Sequence, residues 1–235
     1  MTIFDTLRAV GLTAKITVPT FADGLTNSIS AEACDARLSW WAHELIRRSG
    51  SEIHVRGVEN VPEGEPLVVM SNHRSYYDIP TVYCSVPGRI RMVAKKELFR
   101  VPLFGSAMLA AGFIKVDRGK REKAIESLRA SKKLLEGGVR VWIAPEGTRS
   151  KDGRLGEFKA GGFHLALDAG VRILPMVIQG TEKILPHDSL VVSRGAKIEV
   201  TILPPIDAPA YGKDRRKELM ADVRATLAAA LGQSD

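Results

Sequence analysis

Leu67-Val68-Val69-Met70-Ser71-Asn72-His73-Arg74-Ser75-Tyr76-Tyr77-Asp78 sets four apolar residues directly before a run of polar and aromatic ones. A short unbroken apolar run of this kind reads as a strand buried on both faces, and such a strand belongs in a sheet covered by helices on either side. The same pattern recurs outward in both directions. Ile53-His54-Val55, Ile90-Arg91-Met92-Val93-Ala94, Phe113-Ile114-Lys115-Val116, Val139-Arg140-Val141-Trp142-Ile143, Ile173 to Ile178 and Lys197 to Leu203 are β-rich. Helical patterns separate them near residues 77–85, 102–111 and 120–136, the last stopping at Gly137-Gly138 as a helix C-cap does, and a final helix follows from about Asp214 to Leu231. This alternation predicts an α/β domain with a mixed, largely parallel central sheet flanked by helices.

Residues 1–50 have a different character and read as an N-terminal helical pair joined by a loop around Pro19-Thr20-Phe21-Ala22-Asp23-Gly24. The expected organisation is a helical segment over 1–50 and a main domain over 51–235. In the second helix Leu38, Trp41 and Leu45 share a stripe with Ala42 and Ile46 beside it. Tryptophans next to arginines suit a membrane interface, and an amphipathic stripe suits packing on the domain's own core; both readings stand at this point.

A chain of 235 residues that is 45% hydrophobic and 26% charged can bury one substantial core. The net charge of +7 favours an anionic partner, whether a phospholipid surface, an acidic carrier protein, a phosphorylated substrate or nucleic acid. Nucleic acid is set aside, because the basic residues form no dense run apart from Lys213-Asp214-Arg215-Arg216-Lys217 and no nucleic-acid module is recognisable. The two cysteines, Cys34 and Cys84, make no disulfide framework and lack zinc-site spacing, so a reducing compartment is the default. Nowhere does the sequence hold the roughly 20 consecutive apolar residues of a membrane span. Phe104 to Val116 is too short, and Asp5 and Arg8 interrupt the N-terminal apolar run, so membrane contact is expected to be peripheral.

Five histidines occur, and position separates them. His73 follows the buried run at the point where a strand ends and a loop opens, which in open α/β sheets is where ligands gather. Asp78 lies five residues later, about 140° round a continuous helix, so the two side chains meet only if a turn intervenes. Ser75 supplies such a break, since Ser-x-x-Asp resembles a capping box. Asp78 is therefore either a helix-capping carboxylate or the partner that fixes the tautomer of His73 and leaves its other nitrogen free as a base. The G-x-S-x-G elbow is absent and neither cysteine has a histidine near it in sequence, so the substrate must supply the attacking hydroxyl. A metal site is not expected, because no further ligand set accompanies His73 and Asp78.

Ala144-Pro145-Glu146-Gly147-Thr148-Arg149-Ser150 again places polar groups after an apolar strand. Taken alone it reads as a solvated turn; with Glu146 and Arg149 turned inward it would bind a polar group, the planar guanidinium suiting phosphate. Arg118 ends the strand-like Phe113 to Val116 run, and Lys159 precedes Gly161-Gly162 at the start of an apparent helix, whose N–H groups attract anions. The three basic sites together suggest a phosphate pocket.

These residues resemble the glycerophospholipid acyltransferases, in particular the bacterial 1-acyl-sn-glycerol-3-phosphate (lysophosphatidate) acyltransferases. The resemblance rests on four blocks in order: His73 to Asp78, Phe113 to Arg118, Pro145-Glu146-Gly147-Thr148-Arg149-Ser150, and Ile173-Leu174-Pro175-Met176. It implies that 51–235 is a catalytic domain with His73 as base and Asp78 as its partner, that Glu146 contacts the acceptor's glycerol portion, and that Arg118 and Arg149 bind phosphate; Gly147, in the same block, and Lys159, from the phosphate-pocket reading, complete the expected substrate-binding set. It also implies acyl-coenzyme A or acyl carrier protein as co-substrate, no further cofactor, a lysophospholipid acceptor, and a place at an anionic phospholipid surface on the cytoplasmic face of the inner membrane. Glycerol 3-phosphate or a lyso-ornithine lipid as acceptor, and a non-catalytic basic binding protein, are the competing readings.

Overall fold

The computed structural model describes residues 3–117, 119 and 121–233. Its strands are β1 (Glu52–Arg56), β2 (Leu67–Ser71), β3 (Ile90–Lys95), β4 (Ile114–Val116), β5 (Arg140–Ile143), β6 (Arg172–Gln179) and β7 (Lys197–Ile202). They form one sheet in the order β1-β7-β6-β2-β5-β3-β4. β6 and β7 run antiparallel and every other neighbouring pair is parallel. The helices are α1 (Ile3–Leu25), α2 (Ala31–Arg48), α3 (Asp78–Ser85), α4 (Phe104–Ala110), α5 (Arg121–Ala130), α6 (Lys132–Glu136), α7 (Gly161–Ala169) and α8 (Arg216–Leu231). A mixed, largely parallel sheet with flanking helices is thus what the alternation pointed to.

β2 sits at the centre of the sheet, and its period-two geometry divides its side chains between two cores. Val68 and Met70 pack with Val141, Phe163, Ile173 and Leu219 on the face covered by α5 to α8. Leu67 and Val69 pack with Ile46, Val82, Met92 and Leu174 on the face covered by α2 and α3. All five β2 residues are buried, and each fully buried aliphatic side chain is worth roughly 1.5–3 kcal/mol. The strand's direction and register are therefore strongly specified, which fixes where the residues after it emerge.

The N-terminal pair departs from expectation in one respect. α1 runs unbroken through Pro19 to Leu25, and the turn falls over 26–30 rather than around Pro19 to Gly24. A proline inside a helix costs about 3 kcal/mol, and tertiary contacts offset it here. Thr20 is buried and accepts a bond from Arg37, Arg37 pairs with Asp23 at 2.7 Å, and a Cβ on Gly24 would lie 2.8 Å from that of Ala110 on α4. The chain reverses where Asn27 adopts a left-handed φ of 51°, and Ser30 then caps α2 by accepting from the Ala33 N–H at 3.1 Å.

α2 settles its two readings in favour of packing: Leu38, Ala42, Leu45 and Ile46 are buried, and Trp41 donates its indole N–H to Thr13 on α1. It is α1 that turns apolar side chains outward, with Ile3, Phe4, Leu7, Val10, Val18 and Leu25 exposed. Among the described residues no helix is long and apolar enough to cross a membrane. The helix expected over 120–136 is divided into α5 and α6 at Ser131, whose hydroxyl bonds back to the Ser127 carbonyl at 2.9 Å and whose N–H reaches the Leu128 carbonyl in a tightened turn.

Candidate active site

β2 brings Ser71, Asn72 and His73 to the carboxyl edge of the sheet, and each of these residues is anchored by its neighbours. The Ser71 hydroxyl donates to the Asn72 carbonyl and accepts from the Trp142 indole N–H, both at 2.9 Å. The buried Asn72 amide pairs with both backbone groups of Ile178 on β6, donating to its carbonyl and accepting from its N–H at 2.8 Å each. The His73 ring stands edge-on to Trp142, with centroids 5.6 Å apart and an interplanar angle of 88°.

The chain turns between His73 and Asp78, and that turn brings their side chains together. His73 Nδ1 lies 2.7 Å from Asp78 Oδ2. The same oxygen accepts the Arg74 N–H at 2.7 Å and the Ser75 N–H at 2.9 Å. Ser75 in turn accepts from the Tyr77 N–H, and Asp78 is the first residue of α3. The carboxylate thus serves the histidine and pins the turn before α3, while α3 itself, with Tyr77 at its N-cap, has no side-chain cap. Oδ1 accepts the Thr181 hydroxyl at 2.5 Å. Asp78 is fully buried, and an ionised carboxylate is tolerable at such a place only when surrounded by donors. With Nδ1–H donated to Asp78, His73 carries its lone pair on Nε2.

The loop after β5 closes on this segment. The His73 carbonyl accepts the Ser150 N–H at 2.7 Å. Glu146 is buried, and its carboxylate spans two backbone donors: the His73 N–H at 3.3 Å and the Gly156 N–H at 2.8 Å. Burial pushes the Glu146 carboxyl up, while the N–H groups of Gly156 and His73 act the other way. Gly147 turns the loop at a φ of 73°, a conformation costly for residues with a Cβ. Lys159 reaches back to this turn, its N–H donating to the Pro145 carbonyl at 2.8 Å. Its ammonium stays exposed beside Glu157 at 3.4 Å. The Arg149 guanidinium lies 4.0 Å over the Tyr76 ring and donates to the His187 carbonyl at 3.0 Å.

Of the residues singled out from sequence, His73, Asp78, Glu146, Gly147, Arg149 and Lys159 converge on one end of the sheet. Arg118 lies outside the described residues. Sequence reasoning missed Thr181, the Asn72 clamp and the Trp142 wall. Thr181 and Ile178 are 103 and 106 positions from their partners, so no spacing rule connects them. Among the other histidines, His43, His54 and His187 contact near neighbours in sequence. Burial pushes the Cys84 thiol up to about 12 and raises that of Cys34 as well, so neither is primed as a nucleophile. Among the described residues no three His, Cys, Asp or Glu side chains converge as a metal-ligand set.

A histidine paired with a buried aspartate at the carboxyl end of a largely parallel sheet is an α/β arrangement whose chemistry suits proton transfer. Comparison with known proteins names the family: residues 52–179 match the profile of the acyltransferases, and the chain belongs to that family. A chloroplast 1-acyl-sn-glycerol-3-phosphate acyltransferase of Arabidopsis thaliana is 37% identical over 156 residues, which cover 66% of this chain and 44% of that one. The chain therefore spans about half the length of its chloroplast relatives. A 1-acyl-sn-glycerol-3-phosphate acyltransferase of Haemophilus influenzae is 32% identical over 184 residues, covering 77% of this chain and 75% of that one. The crystal structure of the 1-acyl-sn-glycerophosphate (LPA) acyltransferase PlsC from Thermotoga maritima superposes with a TM-score of 0.72 at 23% identity, covering 98% of this chain and 99% of that one, and shows the same fold.

Proposed function

We propose that the chain transfers an acyl group from a thioester, acyl-coenzyme A or acyl carrier protein, to the free hydroxyl of 1-acyl-sn-glycerol 3-phosphate, giving phosphatidate. The observation that carries this reading is the His73–Asp78 pair at 2.7 Å, with the loop that bears Arg149 closed against it through the Ser150 N–H and the His73 carbonyl. The relatives' names support the acceptor.

His73 Nε2 takes the proton of the acceptor hydroxyl as that oxygen attacks the thioester carbonyl carbon. The tetrahedral oxyanion collapses, the carbon–sulfur bond breaks, and the proton passes to the departing thiolate. Asp78 stabilises the imidazolium formed in between. A positioned base supplies about 10²- to 10⁴-fold of rate. Phosphate capture by Arg149, with Lys159 and Arg118 contributing, adds orientation of the hydroxyl. Glu146 and Gly147 shape the wall against which the glycerol portion rests.

The exposed apolar stripe of α1, continued by Leu103 and Leu109 beside it, is the surface proposed to rest on anionic phospholipid, at the cytoplasmic face of the inner membrane. Purified protein assayed with labelled acyl-coenzyme A and acyl carrier protein should acylate lysophosphatidate in preference to glycerol 3-phosphate or lyso-ornithine lipid. Turnover confined to another acceptor would overturn the assignment. Undiminished sedimentation of a Phe4→Glu, Leu7→Glu variant with anionic vesicles would overturn the role of α1.

A further inference from the structure

The oxygens of Asp78 are engaged unequally. Oδ2 accepts His73 Nδ1 and two backbone N–H groups, all from its own chain segment. Among the described residues, Oδ1 has one donor, and it comes from across the sheet: the hydroxyl of Thr181, just beyond the family-matched residues. The chain is built to place it there. Gly180 has a φ of 97°, and a Cβ at that position would lie 2.1 Å from the Lys197 carbonyl oxygen, so a glycine is required at the turn out of β6. Thr181 then opens a short 3-10 turn over Thr181–Lys183 and is fully buried. Asn72 grips Ile178 two residues before Gly180, and the Ser75 hydroxyl donates to the Leu185 carbonyl at 2.8 Å. The strand end and the turn after it are thus fastened to the His73–Asp78 segment before, within and after it.

We infer that Thr181 is a positioning residue for the transfer reaction, its hydroxyl fixing the plane of the Asp78 carboxylate so that Oδ2 stays aligned on His73 Nδ1. The inference rests on the acyl-transfer reading above. A carboxylate held through one oxygen can pivot, because the torsion about its sp³–sp² bond is broad and shallow. A bond to the other oxygen from a rigid neighbouring element removes that freedom. Removing the hydroxyl also leaves a buried acceptor without its donor, which the carboxylate relieves by turning away from His73.

Thr181→Val keeps the shape and deletes the donor, whereas Thr181→Ser keeps the donor. Thr181→Val should lower kcat by about 10- to 100-fold, the worth of one hydrogen bond to a charged group, with KM for lysophosphatidate within about twofold. Thr181→Ser should stay within about threefold of wild type in kcat. Adding Thr181→Val to Asp78→Asn should cost less than about twofold more, because the lever then has nothing to align. If valine is not accommodated, Thr181→Ala against Thr181→Ser makes the same comparison. Wild-type kcat in Thr181→Val, equal losses in the valine and serine variants, or additive losses with Asp78→Asn would each overturn the inference, provided His73→Ala is inactive. An active His73→Ala enzyme would instead overturn the role of His73 as base, and a wild-type enzyme that transfers no acyl group would overturn the acyl-transfer reading itself.

Discussion

Around His73 the polar contacts are buried and come from several elements: Asp78 from the start of α3, Glu146 and Ser150 from the loop after β5, Trp142 from β5 and, through Asn72, the end of β6. Around Arg149 and Lys159 they are fewer and nearer the surface, a stacked tyrosine and one carbonyl for the arginine and an exposed glutamate for the lysine ammonium. The contrast fits the chemistry proposed for each half. A base works only in a narrow geometry, so its orientation is fixed before substrate arrives. Phosphate is recognised by charge at any of several angles, and a cation that keeps some freedom can follow a headgroup into place.

Perturbing the fixed half should cost turnover and perturbing the adjustable half should cost binding. The largest effect is expected from Asp78→Asn, which keeps the shape but disturbs the histidine tautomer. Its kcat should fall by roughly 10⁴-fold, and a fall in acceptor affinity instead would erase the distinction between the halves. Arg149→Ala should raise KM for lysophosphatidate by about 10- to 100-fold, the worth of a charge-assisted bond to phosphate, with kcat within about threefold. A large kcat loss would move Arg149 into the fixed half.

The smallest effect concerns stability. Burial raises the Glu146 carboxyl above its unfolded value, so its contribution is fully present below the unfolded pKa and is lost as pH rises through the folded one. Glu146→Gln is neutral at every pH. Its melting temperature relative to wild type should therefore climb as pH is raised from about 4 towards neutrality, and a constant offset would show that the buried carboxyl carries no such penalty.

The two halves also differed in how far the sequence exposed them. The strand runs, the Gly137-Gly138 stop and the placement of His73 after a buried strand follow from local pattern, because burial on both faces of β2 leaves an uninterrupted apolar run. Local pattern misled at Pro19, where packing of α1 on α4 and the Arg37–Asp23 pair outweighed the helix-breaking tendency. It left Asp78 undecided between two roles because the same local turn can serve either; the structure gives the carboxylate to His73 and to the turn's N–H groups, and α3 has no side-chain cap. It was silent on strand order and on Thr181, since the contacts that define them join residues distant along the chain.

The proposed transfer depends most directly on His73. With native circular dichroism confirmed, purified His73→Ala should transfer labelled acyl groups from acyl-coenzyme A to lysophosphatidate at least about 10⁴-fold more slowly than wild type. Turnover near the wild-type rate in that folded variant would contradict it.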